Sequence, residues 1–195
     1  MLKLWKIALA AVMAALMPAA ANAVTLYDLA APTGPLDIPG TVSQTVNAGA
    51  GAGTVSFQIQ SYLTVDGVNC CTDTFSLVVN GVELFSAAYN LGGGGTDTVF
   101  TAAPAGSTIT VVSGLNGTIT GIVPVSFVAG SNTVSLNYAG GAQGIGDEAF
   151  GVNSFTIEGL AAGNVPEPAT WAMMIGGIGL AGGSLRRRKA TLALA

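Results

Sequence analysis

The chain has 195 residues, half of them hydrophobic and only 8% charged, with a formal net charge of −4 and no histidine. The basic residues are Lys3, Lys6, Arg186, Arg187, Arg188 and Lys189, whereas all ten acidic residues lie between Asp28 and Glu167. A body without Lys, Arg or His cannot displace counterions from phosphate, which excludes nucleic acid as a partner. It also lacks the usual general base of Ser and Cys hydrolases and the commonest metal ligand.

The N-terminus has the layout of a secretory signal peptide over residues 1–23. Lys3 and Lys6 precede an apolar stretch at 7–16, then a helix-breaking Pro18, then Ala21-Asn22-Ala23 as a small-x-small cleavage pattern. The apolar stretch is too short to span a bilayer, which takes about 20 residues. The mature chain is expected to start at Val24 and to hold one domain over 24–164, large enough for a core of its own. Its low charge and high hydrophobicity argue for a folded object rather than a disordered one.

Within that body the dominant period is two, the signature of strands with one face inward. Strands are expected at 41–46, 54–65, 96–101, 108–112, 118–128, 133–138 and 152–158. In "TFSLVVN" Phe75, Leu77 and Val79 share a face, as do Val134, Leu136 and Tyr138 further on, and Phe155 with Ile157. In "FSLVVNGVELF" Asn80-Gly81 separates two strand-like runs and predicts a type I′ hairpin, because both central residues of that turn need positive φ. Pro124 removes a ladder hydrogen bond and predicts an edge or a break. The glycine clusters 49–53 and 92–95 read as flexible loops. The pattern predicts an all-β fold, a single antiparallel β-sandwich of the jelly-roll kind.

With no cation in the body, its carboxylates must be solvated, hydrogen-bonded or bound to a metal. Asp66, Asn69 and Asp73 cluster in "VDGVNCCTDTF", and Asp147, Glu148 and Asn153 in "GIGDEAFGVN". Two readings stand for them: solvated turn formers, or oxygen ligands for calcium supplied by loops, without EF-hand spacing. A carboxylate-pair glycosidase drawn from Asp66, Asp73, Asp97, Asp147 and Glu148 is a further class; the expectation is that the protein is not an enzyme. Tyr62, Phe85, Tyr89 and Phe150 are candidate sugar-stacking aromatics for a carbohydrate-binding module, or else core. Cys70 and Cys71 are the only cysteines. In an exported protein they can form a vicinal disulfide, pair with another chain or stay free; adjacent thiolates without His do not complete a zinc site.

The C-terminal stretch "VPEPATWAMMIGGIGLAGGSLRRRK" joins Pro166-Glu167-Pro168 to an apolar run led by Trp171 and closes it with Arg186, Arg187 and Arg188. A helix over 169–185 would be about 25 Å long, slightly short of the roughly 30 Å hydrocarbon core, so it is marginal as a permanent anchor. The positive-inside rule keeps the arginines cytoplasmic and the body outside. Residues 165–189 resemble the PEP-CTERM sorting signal of exported Gram-negative proteins, with 190–195 a short tail. The resemblance implies export through the secretion machinery, transient tethering at the inner membrane and processing by an exosortase near Pro-Glu-Pro. The protein would then be retained at the cell surface or in an extracellular polysaccharide matrix, in a structural or adhesive role.

Overall fold

The computed structural model describes residues 23–163 and 174–179. The expected signal peptide, apart from Ala23, and Pro166, Glu167, Pro168, Trp171, Arg186, Arg187 and Arg188 lie outside those residues. Of the helix expected over 169–185, residues 174–179 are described; they are helical, with Met174, Ile175 and Ile178 exposed. Among the described residues no helix is long and apolar enough to cross a membrane.

The strands are β1 (Ala23–Asp28), β2 (Leu36–Asp37), β3 (Gly40–Ala48), β4 (Gly51–Leu63), β5 (Thr74–Val79), β6 (Val82–Ala88), β7 (Thr98–Thr101), β8 (Thr108–Val112), β9 (Thr118–Phe127), β10 (Gly130–Ala139) and β11 (Glu148–Leu160). One antiparallel sheet has the order β1-β11-β4-β9-β8, with β2 also on β11; the other has the order β3-β10-β5-β6-β7. Setting β2, β7 and β8 aside leaves eight strands. In chain order, the first sheet then reads first, eighth, third, sixth, and the second reads second, seventh, fourth, fifth. That interlocked order is a jelly roll, with β7 and β8 added at the edges.

Alternation places the core as the sequence predicts. Phe75, Leu77 and Val79 of β5, Val134, Leu136 and Tyr138 of β10, and Phe155 and Ile157 of β11 are buried between the sheets. Each fully buried side chain of this size contributes roughly 1.5–3 kcal/mol. Phe57, Phe75, Tyr138 and Phe150 form a continuous aromatic chain through the core, with ring centroids 5.3, 5.6 and 5.0 Å apart in succession. Asn80 and Gly81 have φ of 51° and 79°, the type I′ geometry, and Val79 pairs with Val82 across the turn.

Pro124 lies within β9 without breaking it. β8 ends its pairing at Ile122, so at Pro124, opposite Thr54, β9 has a partner only in β4 and the proline costs no bond to β8. The expectation for the first glycine cluster is corrected: Gly51–Gly53 open β4 rather than forming a loop. Gly53 is required there because a Cβ would strike the Phe127 ring and the Glu158 carbonyl. β1 and β2 were not foreseen; the short β2 holds only two residues and carries no period.

Gly121 of β9 points inward under the Phe57 ring, and a Cβ would enter that ring. Gly121→Ala is expected to lower stability by about 1–3 kcal/mol through overpacking, read as a fall in Tm; an unchanged Tm would contradict this packing.

Candidate metal centre

Three loops converge at one end of the sandwich: β4–β5, β6–β7 and β10–β11. Backbone bonds stitch them together. Gly67 N donates to Gly94 O at 2.8 Å, Val68 and Thr96 exchange bonds of 2.8 and 3.1 Å, and Thr64 Oγ1 donates to Asp147 O at 2.8 Å. The β4–β5 loop is also closed on itself. Asp66 N donates to Asp73 Oδ2 at 2.9 Å, and Asp73 N donates to Asp66 O at 3.2 Å.

Inside this junction Asp66, Asp73 and Glu148 come together with ligand oxygens within 4.8 Å of one another. Their side chains are 7%, 0% and 2% exposed, and each keeps one buried oxygen, Asp66 Oδ1, Asp73 Oδ1 and Glu148 Oε2, without a hydrogen-bond partner. Buried carboxylates without partners are costly, and no Lys, Arg or His lies between residues 24 and 185 to neutralise them. Burial pushes the Asp73 carboxyl up to about 6, with the Asp66 charge adding and the Asp66 backbone donor opposing. Burial likewise pushes Glu148 up to about 7, reinforced by the charges of Asp73 and Asp66.

Two of the carboxylates share one loop, and the third comes from a distant part of the chain. Asp66 lies in the β4–β5 loop, Asp73 precedes β5, and Glu148 opens β11. Two glycines make room for them: a Cβ on Gly93 would enter Asp66 Oδ1, and one on Gly140 would enter Asp73 Oδ1. The Gly92–Gly95 segment is a loop, as expected, and its Gly93 abuts the carboxylate pocket. Sequence reasoning missed Gly93 and Gly140 as pocket-forming residues. It also missed Tyr138, whose buried Oη has no partner and whose pKa is raised by burial and then by Asp73. Nothing in their local sequence signals contact with an aspartate far away in the chain.

The other candidate residues stand apart. The Asn69 side chain accepts from Cys71 N at 2.6 Å and is thus engaged within its own loop. The Asp147 side chain is exposed beside Glu148, and Asp97 Oδ1 accepts from Asn90 N at 2.7 Å. Phe85 and Phe150 are core residues, whereas Tyr62 and Tyr89 are half-buried. Cys70 and Cys71 are free thiols with Sγ atoms 2.9 Å apart. Contact with Cys70 first, and burial and nearby carboxylates next, push the Cys71 thiol up to about 11.

Chemically, three convergent carboxylates on tied loops are hard oxygen donors suited to a divalent cation. As a glycosidase pair they are badly placed, since a sugar must pass between the two groups and these are enclosed.

No curated protein is similar in sequence to this chain. Among solved structures, a family 35 carbohydrate binding module from an environmental isolate is similar at a TM-score of 0.35 and 14% identity, over 68% of this chain and 82% of that one. A family 35 carbohydrate binding module from Clostridium thermocellum is similar at a TM-score of 0.32 and 15% identity, over 70% and 87%. Both are remote likenesses. The specific match lies at the other end of the chain from the signal-like N-terminus, in a segment that follows β11. Residues 164–189 are a PEP-CTERM protein-sorting motif, and the jelly roll in front of them is the body of an exported protein.

Proposed function

We propose that this protein is a non-catalytic structural or adhesive component of the cell surface or biofilm matrix, and that its jelly roll is clamped at one end by calcium. In this reading an exosortase recognises the tail, which tethers the chain at the inner membrane only until processing. The observation that carries the cation is the set of three buried, unpartnered carboxylate oxygens in a body without a positive charge. Calcium takes six to eight oxygens. Asp66, Asp73 and Glu148 would supply the charged ones, tying the β4–β5 loop to the start of β11.

A second reading has one observation in its favour. On the outer face of the first sheet, Asn153 Nδ2 donates to Gln58 Oε1 at 3.2 Å and to Gln60 Oε1 at 2.9 Å, while Gln58 Nε2 donates to Thr120 Oγ1 at 3.2 Å. This uncharged amide and hydroxyl patch lies beside half-buried Tyr62, a surface suited to a neutral polysaccharide. Binding on a glycan array that is lost in Tyr62→Ala would support it, and silence across bacterial polysaccharides would leave the structural role.

The cation reading makes a signed pH prediction. Asp73 moves from 3.8 to about 6 and Glu148 from 4.5 to about 7. The folded state thus holds these protons more tightly than the unfolded chain, so metal-free stability falls as pH rises from about 4 to 7. Calcium needs the deprotonated groups, so its stabilisation grows over the same window. With calcium at a hundredfold excess over Kd, the purified full chain is expected to gain roughly 5–10 °C in Tm near neutral pH relative to chelator. Glu148→Gln should remove that gain while raising the metal-free Tm. No calcium response at any pH would overturn the reading.

Processing has its own test: mass spectrometry of the extracellular form should find no peptide beyond the region of Pro168. Recovery of intact Arg186–Arg187–Arg188 peptides from that fraction would refute it.

A further inference from the structure

The two cysteines have no part in the function proposed so far, yet they sit on the loop that holds two of the three carboxylates. Asp66 and Asp73 close the base of that loop through the backbone and side-chain bonds described above. Cys70 and Cys71 occupy its tip, Cys70 exposed, with Sγ atoms 2.9 Å apart. Between base and tip the chain is already ordered: Asn69 N donates to Thr72 Oγ1 at 3.1 Å, Asn69 Oδ1 accepts from Cys71 N at 2.6 Å, and Val68 is paired with Thr96.

We propose that Cys70 and Cys71 form a vicinal disulfide in the exported protein, and that this bond locks the Asp66–Asp73 loop and raises the affinity of the carboxylate site for its cation. The inference rests on the calcium reading above. The chain has no other cysteine, so an intrachain bridge has one choice of partners. In the reaction both S–H bonds are lost and one S–S bond forms. Two electrons and two protons pass to a disulfide-bonded oxidant, which leaves as two thiols. Exposed Cys70 forms the mixed disulfide with that oxidant, and Cys71 displaces it.

A bonded pair lies about 2.05 Å apart, less than 1 Å from the present contact of 2.9 Å, and the tight ring that closes takes its distortion in the Cys70–Cys71 peptide at the tip, away from the Asp66–Asp73 base. The bridged loop surrenders its conformational freedom before the cation arrives. Binding therefore costs less, as for any preorganised site. By linkage, the cation in turn makes the bridge harder to reduce by the same factor.

The experiment uses the full chain in two forms, one treated with oxidised glutathione and one with a phosphine reductant. Intact mass should show the oxidised form two hydrogens lighter, with no glutathione adduct, and a non-reducing gel should show monomer. Calcium titration should then give affinity about fivefold or more tighter for the oxidised form. The double variant Cys70→Ser, Cys71→Ser should bind with one affinity under both treatments. Equal affinities of the two wild-type forms would overturn the coupling while leaving the calcium site standing. A dimer, an adduct or two thiols that still alkylate after oxidation would overturn the bridge. Absence of calcium binding in both redox forms would defeat the site itself and the coupling with it.

Discussion

Three buried carboxylates share one pocket in a body that has no positive charge to set against them. Much of the local architecture at that end of the sandwich follows from accommodating them. Gly93 and Gly140 are glycines because any Cβ there would occupy carboxylate space. The Asp66–Asp73 loop closes on itself so that the Asp66 N–H satisfies Asp73 Oδ2, while one oxygen on each of the three side chains keeps no partner. Charge of one sign, buried and crowded, drives its own neutralisation either by protons, which lifts Asp73 and Glu148, or by a cation of the right hardness.

The jelly roll makes this meeting unavoidable. Its strand order sets β4 beside β11 in one sheet and β5 beside β10 in the other. The β4–β5 and β10–β11 connections, both crossing between sheets, must then leave and enter at one end. The aromatic chain ties that end to the core: Tyr138 packs, tilted, between Phe75 and Phe150, and its phenol feels the charge of Asp73.

Away from the pocket, the same shortage of cations shapes the surface. Where other proteins set Lys against Glu across a sheet, this one sets hydroxyls and amides. Thr41 with Asn137, Ser43 with Ser135 and Thr45 with Thr133 form rungs of 2.9, 2.9 and 3.2 Å between β3 and β10. At the opposite end, fully buried Asn132 is saturated by Asn80, Val128 and Gly130, which holds the β5–β6 hairpin against the β9–β10 turn. Neutral hydrogen bonds of this kind carry no net charge for salt to screen.

By itself the sequence determined the strand periodicity, the Asn80-Gly81 hairpin, the absence of basic chemistry in the body and the export motif of the tail. All of these are local: alternation, a two-residue turn and a contiguous motif depend on neighbours along the chain. It also placed Asp66, Asp73 and Glu148 among acidic candidates, because a body without cations leaves few options for its carboxylates. Only the tertiary structure decided which of them meet. Asn69 and Asp147 were equally plausible by spacing, yet one side chain turns to Cys71 N and the other to solvent. The roles of Gly93 and Gly140 likewise depend on contacts across 27 and 67 positions of chain, to Asp66 and Asp73 respectively. A pattern in sequence records which face a residue takes. Which residues share a pocket depends on how two sheets cross and where their loops land.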